Sequence, residues 1–513
     1  MKILGKNLVG FATYHRDQVI ESILDSSDAQ QIFNELEQKK HQSPALSRQK
    51  AKEILLELTS SYSPMVLRLC YWIVWMLQKF MFSKISNYGE ELGQIHQLTR
   101  DGKIIFYLPN HKSHMDYLLF SYILFNHHIA PPHIAAGVNL SFFPVGWIFR
   151  NTGAYFIRRK IAGNFLYTRF LQLYFDWMLK EKVSQEFYME GGRSRDGKIR
   201  DAQSGIFTLF VEQIRSQKLE NDVFLVPTSI TYDKLPEMLG IRSELVGNEK
   251  QKESMLSLFH ALSILWTNHQ QVHIQFGKPI VLSSLLEGEF SKQKFQELSH
   301  KVFNQVQHNK IITVTSLVAL VLLSTSKSIK IEEFTKRIFW LLDFLKPCRQ
   351  DICEEVANMQ KHFDEVVQRF EKLGWFEKID GYLHVQSSKR MEMNYYKNDV
   401  FPQLLPLYSF VDSTTQKILL HEFAYFKLPT RTFKPDEDAL EFLKKIIEPL
   451  TMFYDEVANQ IGILDLKNLM NKDTHKKLLT QLIKNETFLY REMFNTESIK
   501  SACAYYHQQK KSL

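Results

Sequence analysis

The sequence is poor in cysteine. Its four residues (Cys70, Cys348, Cys353 and Cys503) are scattered too widely for a disulfide framework, and their scarcity fits a reducing compartment. No stretch of about 18 uncharged apolar residues occurs, so a conventional spanning helix is not expected. The opening Met-Lys-Ile-Leu-Gly-Lys has a lysine too early for the apolar core of a secretory leader, and no small-residue cleavage site follows it. The final Lys-Lys-Ser-Leu is not a peroxisomal address. Fixed-period repeats and low-complexity tracts are missing as well. What remains is ordinary for a folded chain. It is 44% hydrophobic and 23% charged, which excludes extensive disorder. At roughly 100 to 200 residues per domain, 513 residues predict two to four units. The net charge of +8 suits a small anionic substrate, a lipid surface or nucleic acid alike.

Along the chain, three regions separate. Residues 1–89 show helical spacing of apolar and charged residues, as in Gln49–Leu58. Within them, residues 65–82 are dense in Trp, Tyr, Phe and Leu, with Arg68 and Lys79 as the only charges. That composition suits a helix lying at a membrane interface with its basic groups reaching headgroups, and equally a helix buried in the fold. In residues 90–285 short apolar runs alternate with amphipathic stretches: 104–108, 134–138, 154–157, 186–189, 223–232 and 272–276. This alternation predicts an α/β layer domain. Residues 286–513 read as helical, with 311–324 as a buried core helix too short to span a bilayer.

The densest chemistry lies in Leu108-Pro-Asn-His-Lys-Ser-His-Met-Asp. A strand ends, a Pro-Asn turn follows, and a helix begins near Ser113. His111 then stands at the C-terminal end of a strand, where open α/β sheets place their sites. Asp116 is five positions on. On one continuous helix the two would point about 140° apart, but with His111 in the preceding turn the carboxylate folds back to its ring. A carboxylate on one ring nitrogen makes the other a general base for a hydroxyl. Two other readings of these residues stand beside this one. Ser113-x-x-Asp116 has the spacing of a helix capping box, and His111, His114 and Asp116 are a conceivable metal set without further clustered ligands.

A second concentration follows. Gly153-Ala-Tyr-Phe-Ile-Arg-Arg places Arg158 and Arg159 at a strand end. Glu190-Gly-Gly-Arg-Ser-Arg adds Arg193, with Lys198 beyond it. Glycines permit close backbone approach, and an arginine forks onto a phosphate. Residues 150–200 hold eleven basic residues against five acidic ones, most of the excess charge in a tenth of the chain. No nucleic-acid motif accompanies this charge, so a small phosphorylated substrate beside a base fits it better than a nucleic-acid groove. Val226-Pro-Thr-Ser-Ile follows, where Pro227 predicts a bulge, an edge or a strand end, and a pocket wall or plain core packing.

Taken together and in order, these four blocks resemble those of the glycerolipid acyltransferases. With Pro131–Leu140, Phe143-Pro-Val-Gly and Thr231-Tyr-Asp-Lys-Leu-Pro-Glu, they are most similar to glycerol-3-phosphate acyltransferases of the bacterial type, which have mitochondrial and dihydroxyacetone-phosphate relatives. The resemblance covers roughly residues 90–280, and the chain is shorter than those enzymes, mainly at the N-terminal side. It implies a mixed sheet flanked by helices, with N-terminal helices and a C-terminal all-helical region. It implies acyl transfer from acyl-CoA or acyl-carrier protein to the sn-1 hydroxyl of glycerol 3-phosphate, with lysophosphatidic acid as product. Dihydroxyacetone phosphate or a lysophospholipid is the alternative acceptor, and a catalytically silent membrane scaffold the alternative class. By the same likeness His111 is the base and Asp116 its partner. Arg158, Arg193 and Lys198 meet the phosphate, Glu190 and Gly192 shape the third block, and Pro227 closes the pocket. A thioester is already activated, so neither a metal nor a cofactor is expected. The expected partners are the two substrates and a membrane lipid surface, on the cytoplasmic face of a bacterial inner membrane, without nucleic acid.

Overall fold

The computed structural model describes residues 2–3, 6–10, 14–88, 91–158, 161, 163–203, 205–245, 270–286, 288, 290–345, 352–404, 413–422, 437–461, 478 and 496–511. Arg159 and Pro406, Pro429 and Pro435 lie outside these residues. After two short paired strands (β1, Lys2–Ile3; β2, Lys6–Asn7) come four helices: α1 (Arg16–Leu24), α2 (Ser27–Lys40), α3 (Pro44–Leu58) and α4 (Pro64–Met81). Ser26 caps α2 and Ser43 caps α3, each accepting a backbone N–H three residues on. Proline at the start of α3 supplies a preset φ where no N–H is needed.

The chain then alternates as the apolar runs predict. Its elements are β3 (Phe82–Tyr88), α5 (Glu91–Arg100), β4 (Ile104–Pro109), α6 (Asp116–Asn126), β5 (His133–Gly137), α7 (Val145–Asn151), β6 (Ala154–Ile157), α8 (Phe165–Lys180), β7 (Gln185–Glu186), α9 (Gly205–Ser216), β8 (Val223–Tyr232), α10 (Met238–Leu245), β9 (Gln270–Phe276) and β10 (Ile280–Val281). These strands form one eight-stranded sheet in the order β3-β9-β8-β4-β7-β5-β6, with β10 beside β8. Strands β8, β4, β7, β5 and β6 run parallel; β9 meets β8 antiparallel and carries β3 parallel to itself. Strand β4 is buried along its whole length, which is why it reads as an unbroken apolar run and not as an alternation. Strand β3 belongs to this sheet although it precedes residue 90, and the apolar run at 186–189 contributes only its first residue to the ladder.

Two apolar layers cover the sheet. One joins α1–α3, α8, α9 and α11 (Lys292–His308) to one face. The other joins α6 and strands β8 and β9 to the helices that follow: α12 (Val314–Leu323), α13 (Ile331–Leu345), α14 (Glu354–Ala357), α15 (Phe363–Lys372), α16 (Arg390–Val400), α17 (Ser413–Glu422), α18 (Glu437–Ile461) and α19 (Thr496–Lys511). Every residue of α12 is buried, as its uniform apolarity predicts, and a Thr313–Ser316 capping box starts it. Each such fully buried Leu or Val stabilises the fold by roughly 1.5–3 kcal/mol. The C-terminal region also contains a small antiparallel sheet, β11 (Ser328–Lys330), β12 (Phe376–Ile379) and β13 (Tyr382–Val385), in the order β11-β13-β12. Strands of three or four residues are too short to leave a visible alternation, so an all-helical reading passes over them. Among the described residues no helix is long and apolar enough to cross a membrane.

Candidate active site

The site is built where β4 ends. Asn110 anchors the turn to β8 twice: its side-chain oxygen accepts the Ile230 N–H at 2.7 Å and its amide donates to the Ile230 carbonyl at 3.1 Å. The chain cannot continue as strand and swings into α6. His111 lies in that swing. Its Nδ1 meets Asp116 Oδ2 at 2.9 Å, and its side chain is 15% exposed while Asp116 is sealed at 0%. The same Oδ2 accepts the Lys112 N–H at 2.7 Å and the Ser113 N–H at 2.9 Å, and Oδ1 accepts the Tyr232 hydroxyl at 2.7 Å. Asp116 therefore organises the turn before the helix and orients the histidine; the helix begins at Asp116 itself, with Met115 as an N-cap that makes no side-chain cap bond, so Ser113 and Asp116 do not form the capping box their spacing allowed. Ser113 Oγ accepts the Met115 N–H and donates to Glu237, which also accepts the His114 N–H at 2.8 Å.

Glu190 clamps the third block onto the first. One carboxylate oxygen accepts the His111 N–H and the other the Arg200 N–H, both at 2.8 Å. Ser194 N–H returns a bond to the His111 carbonyl at 2.8 Å. Gly191 takes a φ of +64°, the left-handed turn that glycine makes at least cost, and folds the 190–194 segment back over the histidine. Burial pushes the Glu190 carboxyl up to about 7, against the two backbone donors that pull it down.

The chain matches two family descriptions: "Acyltransferase" over residues 91–231 and "Glycerol-3-phosphate acyltransferase C-terminal region" over residues 242–407. It is 30% identical over 429 residues to a glycerol-3-phosphate acyltransferase of Pseudoalteromonas translucida, covering 78% of this chain and 52% of that one. It is 38% identical over 282 residues to one of Shewanella oneidensis, covering 55% and 34%. The chain belongs to the glycerol-3-phosphate acyltransferase family. It spans about half the length of the curated relatives it matches. A solved 1-acyl-sn-glycerophosphate acyltransferase from Thermotoga maritima overlaps 56% of this chain at 17% identity, with a TM-score of 0.28 that supports no inference.

Within this acyltransferase fold, the cations expected at the phosphate are all engaged with carboxylates. Arg193 lies 3.5 Å from Glu237. Lys198 pairs with Glu422 of α17 and lies 3.8 Å from Asp196; burial alone would depress its ammonium, and these acids more than offset that. Arg158 makes a two-point contact to Glu57 of α3, at 2.8 and 2.5 Å. It ends β6, three strands from β4, so it shares the site's edge of the sheet without touching the His111 turn. Arg200 gives its backbone N–H to Glu190, and its Nη1 lies 3.4 Å from the Arg193 carbonyl, over Gly192, where a Cβ would come within 3.3 Å of it. Pro227 falls between the β8 residues that pair with β10 and those that pair with β9, where that ladder is interrupted and a missing N–H costs nothing. Its carbonyl accepts the Gly277 N–H at 2.8 Å.

An apolar groove opens between α4, α6 and α7. Leu67, Tyr71 and Val74 of α4, Leu118 and Phe125 of α6 and Phe149 of α7 form its walls. Glu186 also lines it, and burial pushes that carboxyl up to about 8. Tyr188 donates its hydroxyl to Glu186 at 2.6 Å while its ring tilts against the His111 imidazole, centroids 4.2 Å apart. Sequence reasoning missed Tyr232, Glu237 and Glu186. The Thr231–Glu237 stretch was distinctive, but nothing in its spacing showed that both residues turn toward Ser113 and Asp116.

Proposed function

We propose that the chain is a glycerol-3-phosphate 1-O-acyltransferase that moves a fatty acyl group from acyl-CoA or acyl-carrier protein to the sn-1 hydroxyl, giving lysophosphatidic acid. The observation that carries this reading is the His111–Asp116 contact at 2.9 Å, with the imidazole partly exposed and its ring against Tyr188, whose hydroxyl meets Glu186 on the wall of an apolar groove. The ring nitrogen away from Asp116 takes the hydroxyl proton as oxygen attacks the thioester carbonyl, and the imidazolium returns that proton to the departing thiolate. The groove receives the acyl chain, its lining being aliphatic and aromatic as in most ligand sites. Relatives named glycerol-3-phosphate acyltransferase support the acceptor. Phosphate at Arg193 would exchange with Glu237.

The same reading includes peripheral contact with a lipid surface at the bacterial inner membrane. Met65 (80% exposed), Leu69, Trp72, Ile73 and Met76 of α4 face outward, joined by Phe143 and Trp147. So large an exposed aromatic and aliphatic patch on one helix suits the interfacial zone of a bilayer. The test is transfer of labelled glycerol 3-phosphate into lipid extract by purified protein with palmitoyl-CoA, in vesicles. Product formation supports the reading; transfer only to dihydroxyacetone phosphate or a lysophospholipid replaces the acceptor, and no transfer from any thioester leaves the scaffold. Flotation with the vesicles, lost on Trp72→Asp with Trp147→Asp, checks the lipid contact.

A further inference from the structure

Lys112 is the residue after the histidine, yet its ammonium is as buried as any apolar side chain, at 1% exposure. It ends not among the motif residues but on α16, 287 positions along the chain, where Nζ lies 2.5 and 2.6 Å from the two carboxylate oxygens of Asp399. Lys310, just beyond α11, places its own Nζ 3.1 Å from the same carboxylate. Taking three charges out of water is costly, and a fold keeps such a cluster only where every member is paired. Burial presses Lys112 toward its neutral form and Asp399 opposes it.

Three peptide groups around Lys112 are committed. His111 N–H goes to Glu190, the His111 carbonyl accepts from Ser194, and Lys112 N–H goes to the Asp116 oxygen that also holds the imidazole. Helix α16 grips this arrangement at a second place. Gly197 packs so closely that a Cβ there would lie 2.1 Å from the Tyr395 carbonyl oxygen, and Asn398 donates to the Asp196 carbonyl at 2.8 Å. One helix thus braces the turn itself and the 194–198 segment that donates to it.

We infer that Asp399 is a positioning residue for acyl transfer: through Lys112 it fixes the turn that carries His111, so the C-terminal region completes the site without touching substrate. The inference rests on His111 being the base. Lys112→Met cuts the tether and leaves Asp399 paired with Lys310, so the fold survives. The expected result is a fall in kcat of about tenfold or more, since small misplacements of a catalytic group are expensive. The KM values for glycerol 3-phosphate and acyl donor are expected to stay within about twofold. Amide exchange should rise in the peptide around residues 108–118 and nowhere else. Lys112→Arg, which keeps the ion pair, should recover most of kcat and the protection. Tyr396→Phe removes a bond from the same helix to Leu235 at 2.9 Å and should lower stability with kcat intact. Lys112→Met with wild-type kcat and unchanged exchange overturns the inference, as does a loss of kcat that merely follows global unfolding. If the wild-type protein transfers no acyl group, the functional reading fails instead, and the exchange comparison still decides whether Asp399 braces the turn.

Discussion

The α/β layer and the C-terminal helices supply the site by opposite routes. In the layer, the histidine and the carboxylate on its ring are near in sequence: His111 and Asp116 are five residues apart, while Glu190, Tyr232 and Glu237 join their turn from 79 to 124 positions away. From the C-terminal region, partners arrive over 287 residues for Asp399 and 224 for Glu422. The difference separates what a site does from what holds it. Short-range pairs sit in one turn and can act on a proton. Long-range pairs need the whole fold before they exist, so they report that the turn is in place.

The largest effect should come from the layer. His111→Ala is expected to lower turnover by at least about a hundredfold, with thermal stability unchanged, in the acyl-transfer assay. Stability falling with activity would erase the contrast. Next is Glu422→Gln, which removes the charge paired with buried Lys198 and keeps a hydrogen-bonding oxygen for it. A loss of about 2 kcal/mol in urea unfolding is expected, below that for full removal of a buried partner. The third effect depends on pH and concerns Glu186. Burial raises this carboxyl from near 4.5 to about 8, so the folded chain holds a proton that the unfolded chain releases. Stability then falls as pH rises from about 4.5 to about 8, and levels off above. Glu186→Gln, which keeps an acceptor for Tyr188, should match the wild type near pH 5 and exceed its melting temperature near pH 9. Equal melting temperatures at both pH values would show that the groove wall is wetter than its burial implies.

Legibility followed the same division. The strands at 104, 134, 154, 223 and 272 were visible because they are apolar, β-rich and bounded by turns. The His111–Asp116 pair was visible because a turn brings near residues together. The cations were visible as charges but not as pairs. Arg158 meets Glu57 about a hundred residues earlier, and Lys198 meets Glu422 far downstream, so no local pattern records either bond. Lys112 has the composition of a solvated loop residue, and only its burial shows otherwise. The floor of the groove escaped for a similar reason: Glu186 reads as a strand residue until Tyr188 and the groove walls surround it.

The buried cluster of Lys112, Lys310 and Asp399 also bears on modularity. A segment cut out as residues 90–285 carries one lysine of the cluster and leaves its only acid behind. Grafted onto a foreign C-terminal half, it would import a charge with no counterion waiting for it. The α/β layer is therefore no transferable cassette. A chimaera that keeps Lys112 of this chain is expected to fold well only if it also keeps an acid at position 399.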